Sequence, residues 1–255
     1  MADREIEILE EGDIFFLYRP DVNEHEPEGM GDVQRFFLAL RPRGGKNTRL
    51  MIVGRKRLPD AERHERNWGF VTLVSDDAAA IEEALREERY ETKTRGEQDQ
   101  PAARPAGEGV YVITREGSPE TGQMHLAYEL ELPETPGPVQ KAFKIAPKAA
   151  YALSVKNPEK ASPAHAGLSR EQQVDVPERL QEAFRDRRFE SETPEPLNYE
   201  GAEIMLVGAR TDPEKAYGID LPAQDEDEAH ADVFSKLRMA KSRHPIAPLI
   251  EGAWD

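Results

Sequence analysis

The most apolar stretches of this chain are short, rich in aromatic and β-branched residues, and bounded by Gly, Pro or Asp. They fall at residues 14–18, 36–42, 50–54, 68–74, 110–113, 126–133, 151–155 and 204–207. Runs of this length and composition predict buried strands. Turn residues lie between them at 29–31, Gly44-Gly45, Gly117-Ser118-Pro119 and Thr211-Asp212-Pro213, and connections of hairpin length imply antiparallel pairing. A different period marks the helices. Ile81, Ala84 and Leu85, and again Leu180, Ala183 and Phe184, lie at i, i+3, i+4, the spacing of one helical face. Ser75-Asp76-Asp77 offers caps to the first helix, and Asp175 with Pro177 opens the second. Residues 225–243 predict a third, acidic at its start and basic at its end as the macrodipole prefers.

The elements recur in order. Residues 81–94 align without gaps on 180–193, with Glu83, Ala84, Arg86, Arg89, Glu91 and Thr94 matched by identical residues. A Glu-Gly pair precedes an apolar run three times, at Glu11-Gly12, Glu108-Gly109 and Glu200-Gly201. The expected class is therefore α+β: internally duplicated β-β-β-α units with a mainly antiparallel sheet, helices on one face and an extra C-terminal helix. The expected division is 1–107 for the first repeat, 108–199 for the second, and 200–255 for a partial third unit completing one body. Residues 95–107, rich in Pro, Gly and Ala, read as a linker.

Composition narrows the chemistry. The 255 residues contain no cysteine, which excludes a disulfide framework, a thiolate metal site and a Cys nucleophile. No apolar run approaches the ~18 residues of a membrane helix, and the first residues lack a signal-peptide core. A cytoplasmic protein without a membrane partner is expected. The net charge of −16 favours solubility and opposes indiscriminate nucleic-acid binding.

Motifs are mostly absent. His64-Glu65 begins like a zincin helix, but Trp68 stands where the second His is needed. Gly44-Gly45-Lys46-Asn47-Thr48 lacks the earlier glycine and the magnesium-binding hydroxyl of a phosphate loop. The six histidines are dispersed, so neither a metal site nor a cofactor is implied. One segment departs from the overall charge: residues 35–66 hold ten Arg or Lys against Asp60, Glu62 and Glu65. Arg41, Arg43, Lys46, Arg49, Arg55, Lys56 and Arg57 are the candidate anion-binding residues, spread along a strand and its hairpin over about 20 Å. An extended anionic macromolecule, nucleic acid or an acidic protein face, suits that length. The alternatives are an enzyme with a His/carboxylate cleft between the repeats, an oligomeric scaffold, or cations that merely pair with the chain's own acids. Phe36, Phe37, Trp68 and Phe70 read as core.

Overall fold

The computed structural model describes residues 6–94, 96–118, 122–162, 174, 176–218, 221, 223 and 231–254. The chain opens with β1 (Ile6–Pro20), β2 (Val33–Pro42), β3 (Thr48–Val53) and β4 (Arg66–Ser75), then α1 (Ala78–Leu85) and a separate hairpin of β5 (Glu88–Thr92) and β6 (Gly96–Gln100). Next come β7 (Arg104–Glu116), β8 (Gln123–Leu132), α2 (Pro138–Phe143), β9 (Lys148–Lys156), α3 (Glu178–Ala183), β10 (Phe189–Glu190) and β11 (Glu203–Arg210). Short helices α4 (Pro213–Tyr217), α5 (Asp232–Lys236) and α6 (Ala247–Ile250) finish the chain.

The sheet runs β9-β11-β4-β3-β2-β1-β7-β8 and returns to β9, so eight antiparallel strands close into a barrel. β10 adds two residues beside β9. This corrects the α+β expectation. The fold is mostly β, its helices do not form a layer on one face of an open sheet, and the barrel is not built from duplicated β-β-β-α units. The reason is pairing at long range. Arg66 to Phe70 of β4 pair with Val207 to Glu203 of β11, which shuts the sheet and removes the edges an open one would leave.

The helices are also shorter than expected. α1 ends at Leu85 and α3 at Ala183, and Arg86 onward turns into the β5–β6 hairpin. Leu85 packs outside the barrel whereas Phe184 belongs to its interior, so the aligned segments do different work. The expected C-terminal helix is reduced to α5 among the described residues; 224–230 lie outside them, as do Asp175 and Pro119. Most of the expected linker is β6 and the start of β7. Tyr217 ends α4.

Alternation along each strand sorts the side chains. Ile14, Phe16 and Tyr18, Phe36, Leu38 and Leu40, Met51 and Val53, Tyr111 and Ile113, Tyr128, Tyr151, Ile204 and Leu206 point inward and form one buried cluster. Phe143 closes one end, stacked on Phe36 at 4.9 Å and beside Tyr18 at 5.1 Å. Phe184 and Leu197 join the cluster from other connections. The outward residues Phe15, Leu17, Phe37, Ala39 and Leu50 form a second cluster under Ile81 and Leu85 of α1 and Val233, Leu237, Met239 and Leu249 of the C-terminal segment. His244 is fully buried in that cover, with Nδ1 2.7 Å from the Ala103 carbonyl oxygen. A carbonyl only accepts, so Nδ1 carries the proton.

Two of the Glu-Gly pairs mark close crossings. A Cβ on Gly12 would lie 2.1 Å from the Arg41 carbonyl oxygen, and one on Gly109 2.1 Å from that of Glu129. Both glycines sit in strands where the neighbouring backbone occupies the side-chain position. Gly201 differs: it has φ +84° and serves a turn. Gly12→Ala and Gly109→Ala should each cost about 1–3 kcal/mol or more, the usual range for overpacking. Gly31→Ala, with nothing within 4 Å, should stay within about 0.5 kcal/mol. Urea denaturation measures the contrast, and equal midpoints would refute the crossing argument.

Candidate functional site

The structure separates the candidate cations. Arg49 faces the interior, 3% exposed, and its Nη1 and Nη2 donate to Glu10 at 2.6 and 2.8 Å while Nε donates to Asn198 at 2.8 Å. The Tyr111 hydroxyl also donates to Glu10 at 2.8 Å, and burial beside that carboxylate raises the phenol's pKa. Arg49 therefore belongs to an internal ion pair. Arg41 donates to the Lys236 carbonyl at the end of α5, and Arg43 reaches Glu11 at 3.3 Å. Lys46 is exposed on the β2–β3 turn and makes no hydrogen bond or ion pair among the described residues.

At the other end of β3, Arg57 binds Glu65 through both terminal nitrogens and Arg55 binds it at 2.8 Å. The Arg57 hydrogen bonds hold the Glu65 pKa down to about 2. Lys56 donates to the Val33 carbonyl. The seven residues thus divide between two ends of the barrel, with Arg49 inside, and do not form one continuous surface.

What does gather near Arg55 is a basic rim absent from the sequence-derived set. Arg63 is 84% exposed with its Nε 3.9 Å from Asp60, and Arg66 is exposed at the start of β4. Arg66, Trp68 and Phe70 share the outer face of β4, so Trp68 and Phe70 are half-buried wall residues and not core. Trp68 packs against Phe189 at 5.7 Å, with Met205 across the strand pair. On its other side lies Gly54, which has no side chain to cover the ring. Arg188 sits over Phe189 at 5.8 Å.

A cleft continues along the same wall. Register places Val207 opposite Ala152 and Ala152 opposite His125. The small Ala152 leaves a hollow of about 170 Å³, also lined by His64, Glu116, Arg210 and Tyr217. Tyr217 lies over His125 at 4.8 Å between ring centres. His125 is 7% exposed and its Nδ1 has no hydrogen-bond partner; burial, with Arg210 adding, pushes its pKa down against the pull of Glu116. His64 Nδ1 lies 2.9 Å from the Gly208 carbonyl oxygen, so it is the donor and Nε2 keeps its lone pair. No group of three or more metal-ligating side chains occurs among the described residues.

A larger cleft, about 670 Å³, lies between α1, the β5–β6 hairpin and Arg243. Its guanidinium groups are already engaged: Arg86 with Glu83, Arg243 with Glu82 and Arg19 with the Ala84 carbonyl. Arg19 Nε is buried without a partner, but it stands at the C-terminal end of α1, whose dipole repels anions. Comparison with protein-family models, curated proteins and solved structures finds no match for the chain.

Two outcomes follow. Arg49→Met should lower stability by about 3 kcal/mol because the mostly buried Glu10, 13% exposed, loses its partner, whereas Lys46→Met should change it by less than about 0.5 kcal/mol; chemical denaturation separates them. Burial holds His125 and His244 below the ordinary histidine pKa, so the unfolded chain takes up protons first as pH falls. Stability present above about pH 6.5 is then lost as pH drops through the folded-state values. Urea midpoints should fall from about pH 7.5 to 5.5, and His244→Gln should flatten the fall.

Proposed function

We propose that the protein is a non-catalytic binding protein for an extended anionic partner, a single nucleic-acid strand, held across the outer wall of β4 beside the β3–β4 loop. The observation that carries this reading is the half-buried Trp68 on the outer face of β4, flanked by Gly54, with the exposed Arg66 two residues before it and the exposed Arg55 and Arg63, paired with Glu65 and Asp60, on the adjoining β3–β4 loop. Guanidinium groups supply sequence-independent attraction to phosphates, and an indole face supplies stacking that tolerates any base. Both are needed on one surface, and this is where they meet.

The surrounding acids support selectivity for a strand over indiscriminate contact. With a net charge of −16, the rest of the molecule repels a polyanion and confines it to the rim. Catalysis fits less well. The described residues lining the His/carboxylate cleft include neither Ser nor Thr to act as a nucleophile, and Tyr217 is stacked on His125.

The test is fluorescence anisotropy with a labelled single-stranded oligonucleotide over a salt series. Each phosphate contact contributes about 0.7 to the slope of log K against log salt. Replacing Arg55, Arg63 and Arg66 with Glu should therefore remove about 2 from the slope. Trp68→Ala should weaken binding by about 1–3 kcal/mol with the slope unchanged. Absence of binding at low salt, or equal binding by the triple variant, would dismiss the reading. Capture of a poly-Glu peptide but not the oligonucleotide would move the assignment to an acidic protein face.

A further inference from the structure

We propose that the cleft beneath Tyr217 binds a small oxyanion, a phosphate or a carboxylate, with His125 as its floor and Arg210 at its rim. This site is separate from the Trp68 surface and does not depend on the strand-binding reading.

The shape comes from the register. Val207, Ala152 and His125 form one cross-strand row on the outer wall. Ala152 is too short to fill the space between its neighbours. The hollow, about 170 Å³, corresponds to roughly five or six water volumes at ~30 Å³ each. A phosphate or acetate with a few waters fits that space; a nucleotide does not.

The polar groups set the chemistry. His125 is more than nine-tenths buried, and its Nδ1 meets no partner. A protonated ring in that position carries a desolvation cost that a negative charge in the hollow would offset. Arg210 is exposed, and its Nη1 donates to the carbonyl of its own neighbour, Ala209, at 3.0 Å. The remaining guanidinium donors can form the two-pronged contact that oxyanions favour.

Among the described residues, the charged and titratable groups facing His125 set the balance. Glu116 comes from β7, Arg210 from the end of β11, Tyr217 from α4 and His64 from the β3–β4 loop. Glu116 is the acid of the set and opposes an anion while His125 is neutral. Protonating His125 adds a cation at the floor, so anion binding and proton uptake favour one another. Burial lowers the pKa of His125 in the empty site, so proton uptake accompanies anion binding and affinity rises as pH falls. Coupling to one proton allows at most about tenfold per pH unit.

The experiment is a titration of the full chain with inorganic phosphate and, separately, acetate at about pH 6 and pH 8, followed by calorimetry and by the His125 imidazole resonances. Binding of at least one anion, about tenfold or more tighter at the lower pH and accompanied by a shift of the His125 signals, is expected. Arg210→Gln, an exposed change that leaves the fold alone, should reduce affinity about tenfold or more. Ala152→Leu, which fills the hollow and retains both charges, should abolish binding. The Arg55/Arg63/Arg66→Glu variant should bind as the parent does, which separates this site from the strand surface. Unmoved His125 resonances with both anions, equal affinity at the two pH values, or unimpaired binding by Arg210→Gln would overturn the proposal.

Discussion

A closed barrel of eight strands has an interior only wide enough for its own side chains, unless those side chains are small. Here they are large. Tyr18, Tyr111, Tyr128 and Tyr151 are fully buried with Phe16, Phe36 and Phe143, and the interior cluster draws on every barrel strand. That constraint governs where function can reside. Ligands must be met on the outer wall or at the connections, and part of the wall is covered. α1 and the C-terminal segment lie over β1, β2 and β3, and Leu221 packs against β7, β8 and β9. The stretch from Trp68 to His125, across β4, β11, β9 and β8, is where half-buried aromatic, basic and imidazole groups come together.

The strands were largely legible in the sequence, because each is a short run of aromatic and β-branched residues between turn formers. Their closure was not. The seam joins Trp68 to Met205, and no local pattern announces a partner so distant along the chain. The repeated helical segments misled for a related reason. Periodicity reveals an apolar face but not what covers it, and Leu85 packs on the outer wall where Phe184 packs into the interior. Face assignment failed similarly at two places. Arg49 begins an unbroken apolar run, so alternation gave no sign that it points inward. On β4 the inward residues include Asn67 and Gly69, while the outward ones include Trp68 and Phe70, so taking the large residues for core inverted the strand.

The concentration of cations between residues 35 and 66 was visible as composition, but its meaning depended on distance. Glu10, Glu11 and Glu65 each meet one or two of those cations. An acidic chain gains little from such pairs where they are exposed and screened. It gains a fixed internal geometry from the buried Arg49–Glu10 contact, which also holds Asn198 and Tyr111 in place. Arg55 and Arg63 are themselves paired, with Glu65 and Asp60, yet stay largely exposed, and with the exposed Arg66 they form a local group of guanidinium side chains on a negative molecule. On the binding reading proposed, that contrast, more than the number of basic residues, would let the rim discriminate.

The rim and the His125 cleft are held by the same contacts. Glu65 accepts from Arg55 and Arg57, its backbone carbonyl accepts from the Gly208 amide, and His64 donates to the Gly208 carbonyl. Gly208 has no Cβ because Asp60 backbone would lie 2.0 Å from it. The β3–β4 loop is therefore pressed directly onto β11, with guanidinium groups on one side and the imidazole-lined hollow on the other. Any ligand that pulls on His64 acts on a loop also held by the Arg55 and Arg57 pairs to Glu65, by Lys144 against Asp60 and by the Leu58 amide donating to the Phe143 carbonyl. Glu65, with its pKa held near 2 by Arg57, keeps its charge well below neutral pH, so the loop stays anchored while His125 titrates. The wall can thus change charge at the cleft without releasing the scaffold that positions the rim.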